Sequence, residues 1–296
     1  MRPGSIEEAS ALLADATRDG RRARIGADLH TDALDRVLEH EAGDLTCTVE
    51  AGIRLSALQA TLATAGQRLS LDPPGDPTIG ACLAGRLSGP LSHRYGTPRD
   101  LVLGVTLVLG DGTVASSGGK VVKNVAGYDL GKLVCGSEGR LGLIARVALR
   151  LHPLPAAAAT FVVRTDDSAG VVRDLRRSRL QPAALDVLHP GRVAVLFEGR
   201  EAAVATQLAA APALIGGELA DDGVWDEART RQGAALGRLR FVPGDLRNVL
   251  STLDEAVVRP SAGIAYVPQR VGGVPSAAAR RVQRALRERF DPARVL

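Results

Sequence analysis

The sequence is poor in cysteine and in aromatic residues, and each shortage argues against a class of protein. Among 296 residues there are three cysteines, Cys47, Cys82 and Cys135, which lie far apart and form no Cys-x-x-Cys pair. This spacing argues against an iron–sulfur cluster, a zinc ribbon and a disulfide framework. Aromatic residues make up 3% of the chain, which leaves few platforms for base stacking. We therefore expect no nucleic-acid partner, although the isoelectric point is near 9.3.

Long apolar runs are also lacking. No run approaches the roughly 18 residues of a transmembrane helix, and the N-terminal sequence is acidic and helix-like, unlike the start of a signal peptide. The five histidines lie apart, in no spacing typical of a metal site. We therefore expect no transmembrane segment and no metal. The hydrophobic content of 45% predicts a globular protein with a substantial core, located in the cytoplasm.

Lysine is equally scarce, because three of the 37 basic residues are lysines. All three, Lys120, Lys123 and Lys132, fall in the stretch KVVKNVAGYDLGKLVCGSEGRLG. Lysine carries a compact point charge on a slim stem, whereas arginine carries a wide planar fork, so lysine suits a narrow polar pocket. The cluster therefore indicates a binding pocket. The alternative is a chance grouping on a solvated face.

Local patterns predict a mixture of helices and strands in the first half. Ser5 and Glu8 have the spacing of a capping box, which predicts a helix from about Ile6 to Ala16. The segments 22–26 and 46–50 are predicted as strands. A later Asp-Gly pair, at positions 111 and 112, separates two β-rich runs and predicts a hairpin, because this pair accepts the positive φ of a tight turn.

A further strand stops at Pro153, and this stop is the predicted domain boundary. Beyond it, strands and helices mix without regular βαβ alternation and without a Gly-x-Gly-x-x-Gly sequence after a strand, which argues against a Rossmann unit. We predict an α+β fold with domains at residues 1–155 and 156–296. The basic segment near the C-terminus, with an apolar stripe at Val282, Leu286 and Phe290, is interpreted as a solvated surface helix, or alternatively as a docking helix.

Three glycine-containing segments, 72–89, 93–102 and 136–144, stand out beside the lysine cluster. Their glycines permit backbone amides to approach a ligand closely. The sequences TIGACLAG, RYGTPRDLVLG, GGKVVKNVAGYDLGKL and GSEGRLGLI resemble the FAD-binding domain of the vanillyl-alcohol-oxidase / p-cresol-methylhydroxylase (PCMH) type. Within it, the Lys-Asn-x-Ala-Gly-Tyr-Asp-Leu run is similar to the E-subunit family of glycolate oxidase. The resemblance is close over about Ser5 to Pro155.

The resemblance implies a PCMH-type FAD-binding domain of two α+β subdomains, followed by a smaller α+β cap domain. It implies non-covalent FAD and a complex with a flavin-binding D-type subunit and an iron–sulfur F-type subunit. In that complex, electrons from glycolate or another small 2-hydroxy acid pass through the flavin to the partners. The expected location is the cytoplasm, with membrane association through partner subunits as an alternative.

Matched by position, the resemblance assigns cofactor-binding roles to backbone and side chains in several short segments. The amides of residues 79–81 lie near the flavin or its diphosphate, and residues 136–139 form a second backbone clamp. Residues 123–129 lie beside the cofactor. The full set is Pro74, Thr78, Ile79, Gly80, Ala81, Ala84, Ser88, Gly89, Arg94, Tyr95, Asp100, Leu101, Val102, Lys123, Asn124, Tyr128, Asp129, Gly136, Ser137, Glu138, Gly139, Leu143 and Ile144.

The sequence departs from the resemblance at two important points. Members of the fold place a glycine-rich loop after the first short strand to hold the pyrophosphate, whereas here Gly26 is followed directly by Ala-Asp-Leu-His. The D-type His-rich stretch that handles the substrate also has no match, so no catalytic residue is assigned. Two alternatives remain: an assembly subunit that has lost FAD binding, and a stand-alone flavin-dependent alcohol oxidase.

Overall fold

The computed structural model describes residues 1–119, 129–272 and 276–296. Its first part builds on an antiparallel sheet of five strands. The strands here are β1 Val37–Glu41, β2 Thr46–Glu50, β3 Gln67–Arg68, β4 Val102–Val108, β5 Val114–Gly118, β6 Leu143–Arg150 and β7 His152–Pro153. The helices are α1 Ile6–Arg18, α2 Leu55–Ala63, α3 Ile79–Ala84, α4 Ser92–Tyr95, α5 Pro98–Leu101 and α6 Leu130–Val134, with a 3₁₀ turn at Ala42–Asp44.

The five-stranded sheet has the order β1-β2-β6-β4-β5, and β3 pairs separately with β7. Helix α1 covers one face with Leu13, which packs with Leu143 of β6. Helices α2 and α3 cover the other face, where Leu58 and Ile79 join Val147. Neighbouring residues of β6 thus point into two different cores, as the period of two in a strand requires.

The second part builds on an antiparallel sheet of seven strands in the order β11-β8-β10-β9-β13-β14-β12. Its strands are β8 Ala157–Arg164, β9 Ala184–His189, β10 Arg192–Gly199, β11 Glu218–Ala220, β12 Gly237–Arg240, β13 Ala256–Arg259 and β14 Ile264–Val267. Its helices are α7 Ser168–Arg177, α8 Glu201–Ile215, α9 Gly223–Ala234 and α10 Leu246–Leu250, with a 3₁₀ turn at Pro243–Asp245. The predicted α+β class is confirmed.

Both faces of the seven-stranded sheet are covered. Val172 of α7 and Val204 of α8 pack with Phe197 on one face. On the other face Trp225 of α9 is buried, and its indole N–H donates a hydrogen bond of 2.8 Å to Thr160. The sheet is therefore a central layer with helices on both sides.

The final helix, α11, spans Ala277–Phe290 and differs from the others because none of its residues is buried. The chain after it returns to the first part. Asp291 is buried and accepts hydrogen bonds from the backbone amides of Val295 and Leu296. The carbonyl of Val295 accepts a bond of 2.8 Å from the amide of Ala23. The C-terminal tail thereby anchors α11 beside the first sheet.

Several predicted elements are confirmed. The first helix, the strand at 46–50 and the Asp-Gly hairpin all form, and Gly112 has the positive φ of 86° that the turn needs. The strand predicted at 22–26 is wrong. There the carbonyl of Arg24 accepts bonds from the amides of Ala27, Asp28 and Leu29, so the chain turns back and leaves one isolated bridge between Ile25 and Leu29.

Candidate functional site

Two of the predicted cofactor segments lie directly against each other. The amide of Gly136 donates to the carbonyl of Leu83 at 2.9 Å, and the amide of Glu138 donates to the carbonyl of Ala84 at 2.9 Å. These carbonyls belong to the last turn of α3, whose carbonyls have no partner inside so short a helix. The structure thus brings the segment 136–139 to the C-terminal end of α3.

The amides at the start of α3 have protein acceptors. Thr78 caps the helix and accepts from Ala81, Ile79 donates to the carbonyl of Ile53, and Gly80 donates to the carbonyl of Ala51 at 2.6 Å. A side chain on Gly80 would come within 3.0 Å of that carbonyl, so glycine permits the contact. The three amides predicted to hold the cofactor are therefore satisfied within the protein.

The segment 136–139 has an unusual backbone. Gly136, Glu138 and Gly139 have φ values of 88°, 54° and 75°, in the region that disfavours side chains. A side chain on Gly139 would come within 3.1 Å of Ile25, so this glycine also permits close packing. The hydroxyl oxygen of Ser137 is buried and has no hydrogen-bond partner among the described residues. Such a group costs free energy unless a ligand or water pairs with it.

This segment borders a groove of about 860 Å³, within the usual range of small-molecule sites. Residues of α11, of the C-terminal tail and of the N-terminal segment at 22–24 also line it. Three acidic residues, Glu138, Glu288 and Asp291, also line it. The arginines around it outnumber them; they are Arg22, Arg24, Arg140, Arg280, Arg284, Arg287 and Arg294. We refer to this space as the arginine groove.

Two predicted residues on the adjoining segments act as helix caps. Asp100 forms a capping box with Thr97 at the start of α5. Asp129 caps α6 by accepting from the amide of Lys132 at 2.9 Å and pairs with its ammonium group at 3.0 Å. Leu101 and Val102 are buried core residues. These contacts give the four residues a structural role.

Arg94 and Tyr95 reach the seven-stranded sheet. The Tyr95 hydroxyl donates to a carboxylate oxygen of Glu198 at 2.8 Å, and Arg94 donates to the Glu198 carbonyl at 3.2 Å. Arg68 forms an ion pair with the same carboxylate. The ring of His152 lies 4.6 Å from that of Tyr95, and burial lowers the pKa of His152 to about 4. This histidine is therefore neutral near pH 7.

Ser88, Gly89 and Pro74 also lie at the contact between the two sheets. The carbonyl of Ser88 accepts from Gln232 at 2.9 Å and from Arg259 at 3.0 Å. Any side chain on Gly89 would overlap the backbone of Asp72. The ring of Pro74 packs against α9, within 3.2 Å of a side chain placed at position 233.

The remaining predicted residues divide into two groups. Leu143 and Ile144 are buried in the two cores on either side of β6. Lys123, Asn124 and Tyr128 lie outside the described residues. The positions that the structure brings together around a cavity are therefore those at 136–138, next to Ala84 at the end of α3.

Sequence reasoning missed the arginines of the groove. It interpreted α11 as a solvated or docking helix because its apolar stripe is short. The overlooked signal is the spacing of Arg280, Arg284 and Arg287, since residues separated by four and then three positions lie on one helical face.

The described part of the chain contains no group of three or more histidine, cysteine or acidic residues arranged to hold a metal ion. None of its helices combines the length and the apolar character needed to cross a membrane.

Comparison with known proteins gives the class. Residues 1–118 match the model of a family described as an FAD binding domain. A crystal structure of alkyldihydroxyacetonephosphate synthase superposes on 100% of this chain and 74% of its own, with a TM-score of 0.75 and 18% identity, which shows a shared fold. The fold and the matched domain define an FAD-binding oxidoreductase component with the PCMH-type architecture.

The relatives define the family more closely. Glycolate oxidase subunit GlcE of Escherichia coli is 32% identical over 242 residues, which cover 77% of this chain and 68% of the relative. Glycolate oxidase subunit GlcD of Bacillus subtilis is 33% identical over 52% of this chain and 34% of its own length. Mitochondrial D-lactate dehydrogenase [cytochrome] 1 of Saccharomyces cerevisiae is 33% identical over 56% of this chain and 29% of its own length. The chain belongs to the glycolate oxidase subunit GlcE family, and FAD is its cofactor.

The residues of the arginine groove fit FAD. Its diphosphate is anionic and matches a wall rich in arginine, whose guanidinium forks suit phosphate geometry. The unpaired Ser137 hydroxyl and the positive-φ backbone beside it provide a polar, closely approachable floor. The volume is also sufficient for a large cofactor.

Proposed function

We propose that this chain is the FAD-carrying subunit of a complex that oxidises glycolate or a related small 2-hydroxy acid. The observation that carries the proposal is the arginine groove at Gly136–Glu138, in a chain whose relatives include both an E-type and a D-type glycolate oxidase subunit. An FAD site accounts for the arginine groove, and a partner subunit accounts for the similarity to both kinds of glycolate oxidase subunit.

The residues of this chain indicate which steps it performs and which steps its partners perform. Bound FAD supplies the two-electron redox chemistry. The groove binds and orients it, because arginines neutralise the diphosphate and Ser137 donates a hydrogen bond. The described residues near the groove offer no histidine. We propose that a flavin-binding D-type partner provides the residues that bind and deprotonate the hydroxy acid, and that an iron–sulfur F-type partner accepts the electrons.

The domain organisation is part of the same proposal. The first unit, residues 1–155, carries the five-stranded sheet, and the second, residues 156–296, carries the seven-stranded sheet. Polar contacts at Glu198 and at the Ser88 carbonyl are among those that join the units. The tail at 291–296 packs on the first unit. It thereby places α11, which lines the groove, beside that unit.

The test is flavin reduction in the assembled complex. The chain is purified alone and with its D-type partner, loaded with FAD, and mixed anaerobically with glycolate. We expect glycolate to bleach the flavin absorbance of the complex, whereas a variant of this chain that cannot bind FAD, assembled with the same partner, loses its share of the bleaching. Bleaching of equal amplitude in both complexes would contradict the proposal. Rapid bleaching by the isolated chain would instead support a stand-alone oxidase.

A further inference from the structure

We infer that this chain holds the FAD diphosphate with arginine side chains of its C-terminal helix. The inference rests on the proposed function, because it takes FAD as the ligand of the arginine groove. It assigns the role to Arg284 and Arg287 of α11, with Ser137 on the facing wall.

The backbone offers few donors for a diphosphate. The amides of Ile79, Gly80 and Ala81 already bond to protein acceptors. The amides of Gly136 and Glu138 are likewise used by α3. At residues 24–29 the chain makes a tight turn, in which the amides of Ala27, Asp28 and Leu29 bond to the Arg24 carbonyl and the amide of Gly26 bonds to the Leu29 carbonyl. Most backbone amides of this region are therefore already used, which favours side chains as the main donors to an anion.

The side chains that reach the groove are strongly cationic. Arg284 and Arg287 line the groove, whereas Arg281 and Arg289 of the same helix do not. Within the described part of the chain neither forms a salt bridge, whereas Arg24 pairs with Asp28 and Arg140 pairs with Glu138. Two guanidinium groups therefore face the groove without a carboxylate partner.

The sparse packing of α11 also favours a ligand in the groove. A helix of 14 residues with none buried gains little from tertiary contact, and an isolated helix of that length is only marginally stable in water. It is held by the Ser276 cap at one end and by the buried Asp291 and Val295 at the other. A ligand that fills the groove supplies the missing contact between α11 and the first unit. Ligand binding therefore orders α11 and also neutralises the positive charge of its arginines.

The experiment compares two double variants on the same helix. Arg284→Gln/Arg287→Gln removes the groove-facing charges, and Arg281→Gln/Arg289→Gln is the matched control with the same loss of charge on the other faces. The full chain of each is titrated with FAD, ADP and riboflavin, at low and at high ionic strength, after circular dichroism has confirmed folding. ADP carries the diphosphate without the flavin, and riboflavin carries the flavin without phosphate.

We expect the groove variant to bind FAD and ADP at least about tenfold more weakly than wild type, since a charge-assisted hydrogen bond contributes about 1.5–3 kcal/mol. The control should stay within about twofold, and riboflavin should bind all three proteins alike. Added salt should weaken FAD binding to wild type more than to the groove variant, because ion pairing is screened.

A second readout uses trypsin, which cleaves after arginine. ADP should slow cleavage within α11 of the wild-type chain and leave cleavage of the groove variant unchanged. If wild type binds FAD and the groove variant matches it, or both variants weaken equally, the inference is wrong while the proposed function stands. If wild type binds neither FAD nor ADP, both fail.

Discussion

At the residue scale, Ser137 is a buried hydroxyl whose oxygen has no partner in the described part of the protein. We predict that Ser137→Ala leaves the unfolding free energy of the cofactor-free chain unchanged or slightly higher, because an unsatisfied polar group is removed. FAD affinity should fall about three- to tenfold through the loss of one hydrogen bond. Thermal melts and FAD titrations measure the two effects. Ser251→Ala, at an exposed site, is the control that should change neither.

Loss of stability in Ser137→Ala without loss of FAD affinity would show that the hydroxyl serves the fold and has no role toward the cofactor.

A second residue-scale prediction concerns Asp72, where burial raises the pKa to about 7. The nearby Arg259 and Arg229 oppose this shift, and the buried Asp186 adds to it. Between about pH 4 and pH 7 the folded chain keeps a proton that the unfolded chain releases. The free energy of unfolding therefore falls as the pH rises through this window.

Asp72→Asn should remove much of that fall, on the order of 1–4 kcal/mol across the window. The measurement is urea unfolding at a series of pH values. Asp76→Asn is the opposite control, because hydrogen bonds from Ser56 lower the pKa of Asp76, and its contribution is lost as the pH falls. An unchanged pH profile in Asp72→Asn would show that this carboxyl titrates normally.

Contacts between individual residues were harder to predict from the sequence than helices, strands or the family. Gly136 and Gly139 were identified because a positive φ has a recognisable residue preference. Arg284 and Arg287 were not, since arginine is abundant throughout the chain and its role depends on which surface lies opposite. That surface, at Gly136–Glu138, is about 150 residues away in sequence, so no local pattern connects the two.

At the scale of elements, Glu198 connects strand β10 to β3 and α4. Its side chain is 3% exposed and that of its ion-pair partner Arg68 is 14% exposed, and the Tyr95 hydroxyl donates to the same carboxylate. We predict that Glu198→Ala destabilises the chain by about 3–5 kcal/mol, because it leaves a largely buried guanidinium without its carboxylate.

Denaturant unfolding measures this loss, with the exposed Glu201→Ala as the matched control. Glu198→Gln should be intermediate, since the amide oxygen still accepts from Tyr95. If Glu198→Ala costs no more than the control, the two units do not depend on this contact.

Elements with a clear periodic pattern were predicted well. Strand β6 alternates apolar and charged residues, and α1 carries its cap in the sequence. Strand β13 was missed because all of its residues, including Arg259, are buried and show no alternation. Helix α3 was not predicted, because its sequence was interpreted as part of a glycine-containing cofactor segment, although Thr78 provides a normal N-terminal cap. In both segments, tertiary packing determines the secondary structure, and the local sequence pattern does not show it.

At the scale of the whole molecule, the groove lies between the first unit and α11, the helix near the C-terminal end of the second unit. The C-terminal segment returns to the amide of Ala23, and we expect FAD binding at the proposed site to depend on this contact. Sequence similarity identified the family and the cofactor, but it could not place α11 opposite residues 136–138. That placement comes from contacts between segments at the two ends of the chain.

The most direct test of the account is the flavin content of the purified chain. Its visible spectrum is recorded after FAD is added and the excess removed by desalting, and the retained cofactor is released and identified by chromatography. We expect close to one FAD per chain for the wild type and much less for Arg284→Gln/Arg287→Gln. A wild-type chain that retains no flavin after this treatment would contradict this expectation.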